Sequence, residues 1–89
     1  MTTTIDMDLL KAVLSLDTLE QADQFFKDIF TPAELADISL RWKLLKDLYN
    51  GTTQRKIAEK YGISLCKITR GSKLLKNKDS LIRKILDSQ

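Results

Sequence analysis

Residues 54–72, QRKIAEKYGISLCKITRGS, predict two short helices joined by a tight turn. Apolar residues recur at helical spacing in the first part, at Ile57, Ala58 and Tyr61. Gly62 follows at the place where a chain leaving a helix favours a residue that tolerates positive φ. Ser64 can then cap the next helix through its hydroxyl. We therefore expect one helix over 54–61 and a second from about residue 65 to about residue 76.

The second of these helices is polar and basic over most of its surface. Its expected inward residues are Ile68, Gly71 and either Leu75 or Leu74. Its expected outward residues are Leu65, Cys66, Lys67, Thr69, Arg70, Ser72 and Lys73. A glycine inside a helix costs roughly 1 kcal/mol relative to alanine, so Gly71 predicts the close approach of another helix or of a ligand. A basic helix after a capped turn is typical of a helix that enters the major groove of DNA. The alternative is a solvated surface helix in a small bundle.

The charge is divided unevenly along the chain, although the whole chain carries only +3. Residues 1–50 hold five basic and nine acidic side chains, a net charge of −4. Residues 51–89 hold ten basic and three acidic side chains, a net charge of +7. This asymmetry indicates that the carboxyl-terminal half faces a polyanion. An acidic partner protein or a membrane surface would attract the same half, but neither explains the glycine turn and the capped helix.

The composition limits the classes of function. The 89 residues suffice for one small domain. A single cysteine permits no internal disulfide, and the absence of histidine removes the usual general base and the commonest metal ligand. We expect no catalytic residues and no metal site. No apolar run is long enough to span a bilayer, and the opening MTTTIDMDLL lacks the basic start of a signal peptide. A cytoplasmic protein without membrane partners is expected.

The remaining sequence predicts helices throughout, so the expected fold class is all-α with six helices. Thr31-Pro32 is a strong start signal, a threonine cap with proline at the first helical position. The expected helices outside the first motif are Asp6–Leu16, Thr18–Ile29 capped by Asp17, Pro32–Tyr49 ended by Asn50-Gly51, and Ser80–Leu86 capped by Asp79 or Ser80. Leucine, isoleucine and aromatic residues occupy more than one stripe of the long third helix, which predicts burial on two sides. A monomer of this size would struggle to cover that surface, so a two-fold dimer is favoured over a compact monomer.

Three sequence segments resemble the bacterial trp repressor family. They are TQRKIAEKYG at 53–62, ITRGS at 68–72 followed by Lys76, and Thr31-Pro32-x-Glu34 with Arg41 downstream. The resemblance implies a six-helix subunit in an intertwined homodimer, with helix-turn-helix reading heads that bind double-stranded operator DNA. It implies one domain over 1–89, with a dimerisation core at 1–50, a reading head at 54–76 and a carboxyl-terminal helix at 79–88. It also implies L-tryptophan as corepressor, with no other cofactor.

The resemblance further implies the residues that hold the corepressor. Arg41 and Arg70 would flank the indole ring, and Arg70 would also pair with the carboxylate. Thr31 would assist that carboxylate, while backbone carbonyls near Asp28 and Phe30 of the other subunit would receive the ammonium. Gly71 would leave room for the ligand. The chemistry suits arginine, because a guanidinium plane stacks on aromatic faces and forks onto carboxylates. Taken alone, Arg41 could instead form a surface ion pair with Asp37, four residues earlier.

By the same resemblance, Gln54 and Arg55 would face DNA at the start of the first motif helix. The groove-lining residues would be Ser64, Leu65, Cys66, Lys67 and Thr69, and the phosphate contacts would be Ser72, Lys73 and Lys76. The chain departs from the family at Leu74, where a serine is usual near the ammonium, and at Lys67, where a threonine is usual.

Three hypotheses follow. The first is a tryptophan-dependent repressor. The second, favoured by Leu74, is a related DNA-binding regulator that needs no ligand or uses another small molecule. The third is a helical module that binds an acidic protein through its basic half. An enzyme is the weakest reading, because the sequence offers no histidine and no phosphate-binding glycine loop.

Overall fold

The computed structural model describes residues 4–89 and contains six α-helices, with no strand among these residues. The helices are α1 (Met7–Leu14), α2 (Leu19–Ile29), α3 (Pro32–Tyr49), α4 (Gln54–Tyr61), α5 (Leu65–Lys76) and α6 (Leu81–Ser88). The prediction of an all-α fold with six helices is confirmed. Residues 1–3, which open the acidic amino-terminal stretch, lie outside the described residues.

The chain divides into two compact units, the first ending at Ala36 and the second comprising Asp37–Gln89. Neither α1 nor α2, the two complete helices of the first unit, contains a buried residue. The second unit holds a small core, in which Leu44 of α3 is buried with Ile57 of α4 and Ile68 of α5. Five partly buried residues pack against that core, namely Leu45, Leu48, Ala58, Tyr61 and Ile63.

Side-chain caps explain where most helices begin. Thr31 and Glu34 form a reciprocal capping box: the Glu34 N–H donates to the Thr31 hydroxyl at 3.2 Å, and the Thr31 N–H donates to Glu34 Oε1 at 2.9 Å. The Thr53 hydroxyl accepts from the Lys56 N–H at 3.3 Å, and the Ser80 hydroxyl accepts from the Arg83 N–H at 3.2 Å. Of the two caps predicted for α6, the structure therefore has Ser80.

Two predicted caps are wrong. Thr18 rather than Asp17 caps α2, because the extended Thr18 places its hydroxyl 3.1 Å from the Gln21 N–H. The Asp17 backbone N–H instead donates to Gln21 Oε1. Ser64 occupies the N-cap position of α5 with extended backbone, but its hydroxyl makes no capping hydrogen bond.

Two helix ends also differ from the prediction. Helix α1 ends at Leu14 rather than Leu16, because the Ser15 hydroxyl donates to the Ala12 carbonyl at 2.6 Å and the Ser15 N–H also reaches carbonyls of the last turn. Helix α6 extends to Ser88, beyond the predicted Leu86. The added turn carries Asp87, which accepts a hydrogen bond from the Tyr49 hydroxyl and so joins α6 to α3.

Helix α6 is also joined to α5 through one arginine. Arg83 donates from Nη1 to the Leu75 carbonyl at 2.7 Å, which satisfies a carbonyl in the last turn of α5. Leu75 of α5 and Leu86 of α6 are both buried. Within residues 4–89, no helix is long and apolar enough to cross a membrane.

Candidate functional site

Helices α4 and α5 pack against each other and are joined by a three-residue turn. Gly62 adopts the left-handed conformation with φ 65° and ψ 39°, as the sequence predicts, and its N–H donates to the Ala58 carbonyl. Ile57 and Ile68 are completely buried, one from each helix. Their burial holds one side of α5 inward and leaves its other side to solvent.

The solvent-facing side of α5 carries most residues predicted to contact DNA. With Arg55 of α4 and Ser64 of the turn included, the exposed members of the predicted set are Arg55, Ser64, Leu65, Cys66, Lys67, Thr69, Lys73 and Lys76. Gln54 of α4 and Ser72 of α5 are half-buried. The Thr69 hydroxyl donates to the Leu65 carbonyl at 2.9 Å and lies 3.4 Å from Gln54 Oε1. The start of α4 therefore lies beside the middle of α5. Ser72 and Lys76 line a smaller depression with Tyr49 and Arg83.

A groove of about 590 Å³ lies between α3 and α5, entirely within the second unit. Its volume is within the roughly 300–1,000 Å³ of small-molecule sites. The apolar lining residues are Leu40, Leu44, Leu45, Ile63 and Leu74, and the charged ones are Asp37, Arg41, Lys67, Arg70 and Lys73. Gly71 and Asn77 complete the lining. The structure thus brings together three predicted ligand residues, Arg41, Arg70 and Gly71.

Arg41 is held in an ion pair at one side of this groove. Its Nη2 lies 3.1 Å from Asp37 Oδ2, one helical turn earlier, and the side chains are 70% and 46% exposed. An exposed pair of this kind is worth about 0–1 kcal/mol, so the guanidinium remains free to turn toward a ligand. The ion pair expected from the spacing is present, and Arg41 also lines the groove.

Gly71 is buried because α5 lies close to α3 at this residue. A Cβ atom there would stand 3.1 Å from Leu45 Cδ2, 3.2 Å from Leu44 Cδ1 and 3.3 Å from Leu48 Cδ1. The sequence predicts that either another helix or a ligand comes close to Gly71, and the structure shows the close approach of α3. The room that the resemblance implies for a ligand stays a prediction.

Three other predicted ligand residues belong to the first unit. Thr31 forms the capping box of α3, and Phe30 ends α2, its N–H donating to the Phe26 carbonyl. Asp28 accepts a hydrogen bond from Gln24 Nε2 at 2.7 Å through Oδ1. The implied role concerns the backbone carbonyls near Asp28 and Phe30, and it stays a prediction.

Sequence reasoning missed a polar cluster that joins α3 to α4. Asp47 Oδ2 accepts from the Tyr61 hydroxyl at 2.7 Å and from Lys60 Nζ at 3.3 Å. The Tyr61 hydrogen bond, and to a lesser degree Lys60, holds the pKa of Asp47 below its ordinary value of 3.8 despite the opposing effect of burial. Asp47 and Tyr61 lie 14 positions apart on different helices, so no local sequence signal could have paired them.

A family model described as Trp repressor protein matches residues 6–89, which confirms the resemblance. A "Trp operon repressor homolog" of Chlamydia trachomatis serovar L2 is 37% identical over 84 residues and covers 89% of each chain. Proteins of the same name from Chlamydia caviae and Xylella fastidiosa strain M23 are 35% and 33% identical. The Chlamydia caviae match covers 89% of this chain and 79% of the relative, and the Xylella match covers 86% and 88%.

No solved structure was matched. The family model nevertheless covers all six helices, and the groove and the α4–α5 pair fall inside the matched range. That family comprises transcriptional regulators rather than enzymes. The chain belongs to the Trp repressor family, a family of transcriptional repressors.

Proposed function

We propose that the protein is a homodimeric repressor that binds double-stranded operator DNA with L-tryptophan as corepressor. The observation that carries the proposal is the double use of α5. This helix exposes Leu65, Cys66, Thr69 and Lys76 outside the groove, its Arg70 and Gly71 line the groove together with Arg41, and its exposed Lys67 and Lys73 stand at the groove as well. A ligand in the groove would therefore contact the helix that binds DNA.

The α4–turn–α5 pair has the properties needed of a helix-turn-helix. The exposed lysines of α5 can neutralise phosphates, which supplies affinity but no sequence preference. Leu65 and Cys66 are small apolar surfaces near the start of α5, suited to the methyl group of thymine. Recognition helices of this kind contact bases with their amino-terminal residues. Because operator DNA in bacteria lies in the cytoplasm, the protein would act there.

The groove suits an aromatic amino acid. Its leucine and isoleucine side chains can cover an indole ring, and the two guanidinium groups can stack on the ring or pair with a carboxylate. Arginine performs both tasks better than lysine, which is a point charge. The ligand would act by favouring the orientation of α5 that is competent for DNA, since a ligand shifts an equilibrium only by its differential affinity for the two states.

Exposed apolar surface supports the homodimer. The first unit has no buried residue in α1 or α2, and Leu14 and Leu19 are 84% and 90% exposed in the single chain. Phe26, Ile29 and Ile38 are also exposed. Large apolar side chains left exposed in this number indicate an interface, and a second copy related by two-fold symmetry would cover them.

Titration calorimetry of the purified protein with L-tryptophan tests the corepressor. We expect saturable binding to the wild type. Arg70→Ala should weaken it by about tenfold or more, because it removes a charged hydrogen-bonding partner and a stacking surface. Arg55→Ala is the matched control, since Arg55 is exposed on α4 and does not line the groove. No heat of binding at millimolar tryptophan would contradict the corepressor, and an unchanged affinity in Arg70→Ala would contradict the site.

A second candidate is a regulator of the same family that binds DNA without a ligand or with a different one. Leu74 favours it, because this groove residue cannot accept a hydrogen bond from an ammonium group. Operator binding that does not respond to tryptophan would support this alternative.

A further inference from the structure

The smaller depression, of about 470 Å³, lies between the ends of α3 and α5 and helix α6, within the second unit. Its charged lining residues are Lys76 of α5 and Arg83 of α6, and no carboxylate of residues 4–89 lines it. Ser72 adds a hydroxyl to the lining, whereas the Tyr49 hydroxyl already donates to Asp87. Two cations and a hydroxyl without a lining carboxylate form a site that favours an anion.

Arg83 is held in place by contacts that leave it hydrogen-bond donors for a ligand. Its Nη1 donates to the Leu75 carbonyl at 2.7 Å, and its guanidinium carbon lies 5.8 Å from the centre of the Tyr49 ring. Its Nε is buried without a hydrogen-bond partner among the described residues, 3.6 Å from Asp87 Oδ1. A guanidinium has five N–H donors, so the terminal nitrogens keep N–H groups for another acceptor. The planar group suits a phosphate, to which it can donate two parallel hydrogen bonds.

The depression continues a stripe of α5 that begins at the start of the helix. Leu65, Thr69, Ser72 and Lys76 follow one another at spacings of three or four positions, so they share one face of α5. Residues 65 and 76 lie about 16 Å apart along the helix axis, at 1.5 Å per residue, whereas the major groove of DNA is about 12 Å wide. When the start of α5 lies in the groove, its end therefore reaches the phosphate backbone at the edge of the groove.

We propose that Arg83 binds a phosphate of the DNA backbone together with Ser72 and Lys76, so that α6 belongs to the DNA interface. This inference rests on the proposed DNA binding and extends it beyond α4 and α5. The resemblance implies phosphate contacts for Ser72 and Lys76 and none for α6. Such a contact adds affinity without sequence preference. It also fixes the end of α5 on the DNA, because Arg83 holds the Leu75 carbonyl at the same time.

The test measures how the affinity for duplex DNA depends on salt. Fluorescence anisotropy of a labelled duplex of unrelated sequence is followed over a series of KCl concentrations, because backbone contacts require neither the operator nor its sequence. The full-chain variants are Arg83→Gln, which removes the charge, and Arg83→Lys, which keeps it. Lys84→Gln is the matched control, since Lys84 is an exposed cation of α6 that does not line the depression. Circular dichroism would verify that each variant is folded.

The readout is the slope of log affinity against log salt concentration. Each lost phosphate contact lowers its magnitude by about 0.9, so Arg83→Gln should lower it by about 1.8 in a homodimer. Arg83→Lys should keep most of the slope, because lysine also displaces a counterion from the phosphate. Both variants lose the arginine that holds the Leu75 carbonyl, so a purely structural role would affect them alike. Lys84→Gln should leave the slope unchanged.

Three results would overturn the inference in distinguishable ways. If Arg83→Gln keeps the wild-type slope, or if Lys84→Gln lowers it equally, Arg83 makes no specific phosphate contact, although the proposed DNA binding stands. Titration calorimetry with inorganic phosphate separates a second source of the anion: phosphate binding that Arg83→Gln abolishes, with an unchanged DNA slope, would assign the depression to free phosphate. If the wild type binds no duplex even at low salt, the proposed function and the inference fail together.

Discussion

At the scale of single residues, Asp47 is the point where α3 and α4 are joined by polar contacts. Its carboxylate accepts from the Tyr61 hydroxyl, whose ring also packs against the Leu44, Ile57 and Ile68 core. Tyr61→Phe keeps that packing and removes the hydrogen bond. We expect the free energy of unfolding at pH 7 to fall by about 1 kcal/mol, the usual net value of such a bond.

The loss should depend on pH in a definite direction. The pKa of Asp47 is lower in the folded chain than its ordinary 3.8, so the charged carboxylate stabilises the fold above that pH. This contribution is lost as the pH falls through 3.8 toward the folded value. In urea unfolding experiments, the difference between wild type and Tyr61→Phe should therefore be smaller at pH 3 than at pH 7. An equal difference at both pH values would show that the tyrosine hydroxyl does not stabilise charged Asp47.

At the scale of elements, α4 and α5 are each preceded by a hydroxyl residue, but only the residue before α4 caps its helix through that hydroxyl. The Thr53 hydroxyl accepts from the Lys56 N–H, whereas the Ser64 hydroxyl makes no capping bond. Thr53→Ala should lower stability by about 0.5–2 kcal/mol, the range for a lost cap. Ser64→Ala is the matched control and should change it by less than about 0.5 kcal/mol. Thermal unfolding of both variants checks this, and equal losses would contradict the assignment of the caps.

The helices were predictable where local chemistry fixes their ends. The bounds of α3, α4 and α5 follow from Thr31-Pro32, Asn50-Gly51, Gly62 and the apolar spacing, and the structure has the predicted limits. One of the errors falls where two neighbouring polar residues compete to cap the same helix. Asp17 and Thr18 both suit a cap, and only the extended backbone of Thr18 decides between them.

The groove was only partly predictable. Arg41 and Arg70 could be paired through the resemblance, and the structure places both in the lining. Asp37 looked like a surface ion-pair partner, because sequence spacing shows the Arg41 contact but not the groove on its other side. The Asp47–Tyr61 contact joins residues distant in sequence, which periodicity cannot reveal.

At the scale of the whole molecule, the proposed assembly depends on a second copy of the chain. Helices α1 and α2 are amphipathic in sequence, yet the single chain buries none of their residues. Sedimentation equilibrium should give twice the 10.2 kDa mass of the chain. If the chain is a monomer at micromolar concentration, the proposed homodimer is wrong. The two reading heads that a dimer would hold at a fixed spacing on DNA would then be wrong as well.

In the proposed function, a ligand in the groove controls DNA binding by α5. The most direct measurement is a gel mobility shift with DNA from upstream of the protein's own gene, with and without L-tryptophan and with unrelated duplex as competitor. We expect a retarded complex that forms with tryptophan, survives the competitor and is strongly reduced without the amino acid. Binding of equal strength with and without tryptophan, or binding that the competitor removes completely, would contradict it.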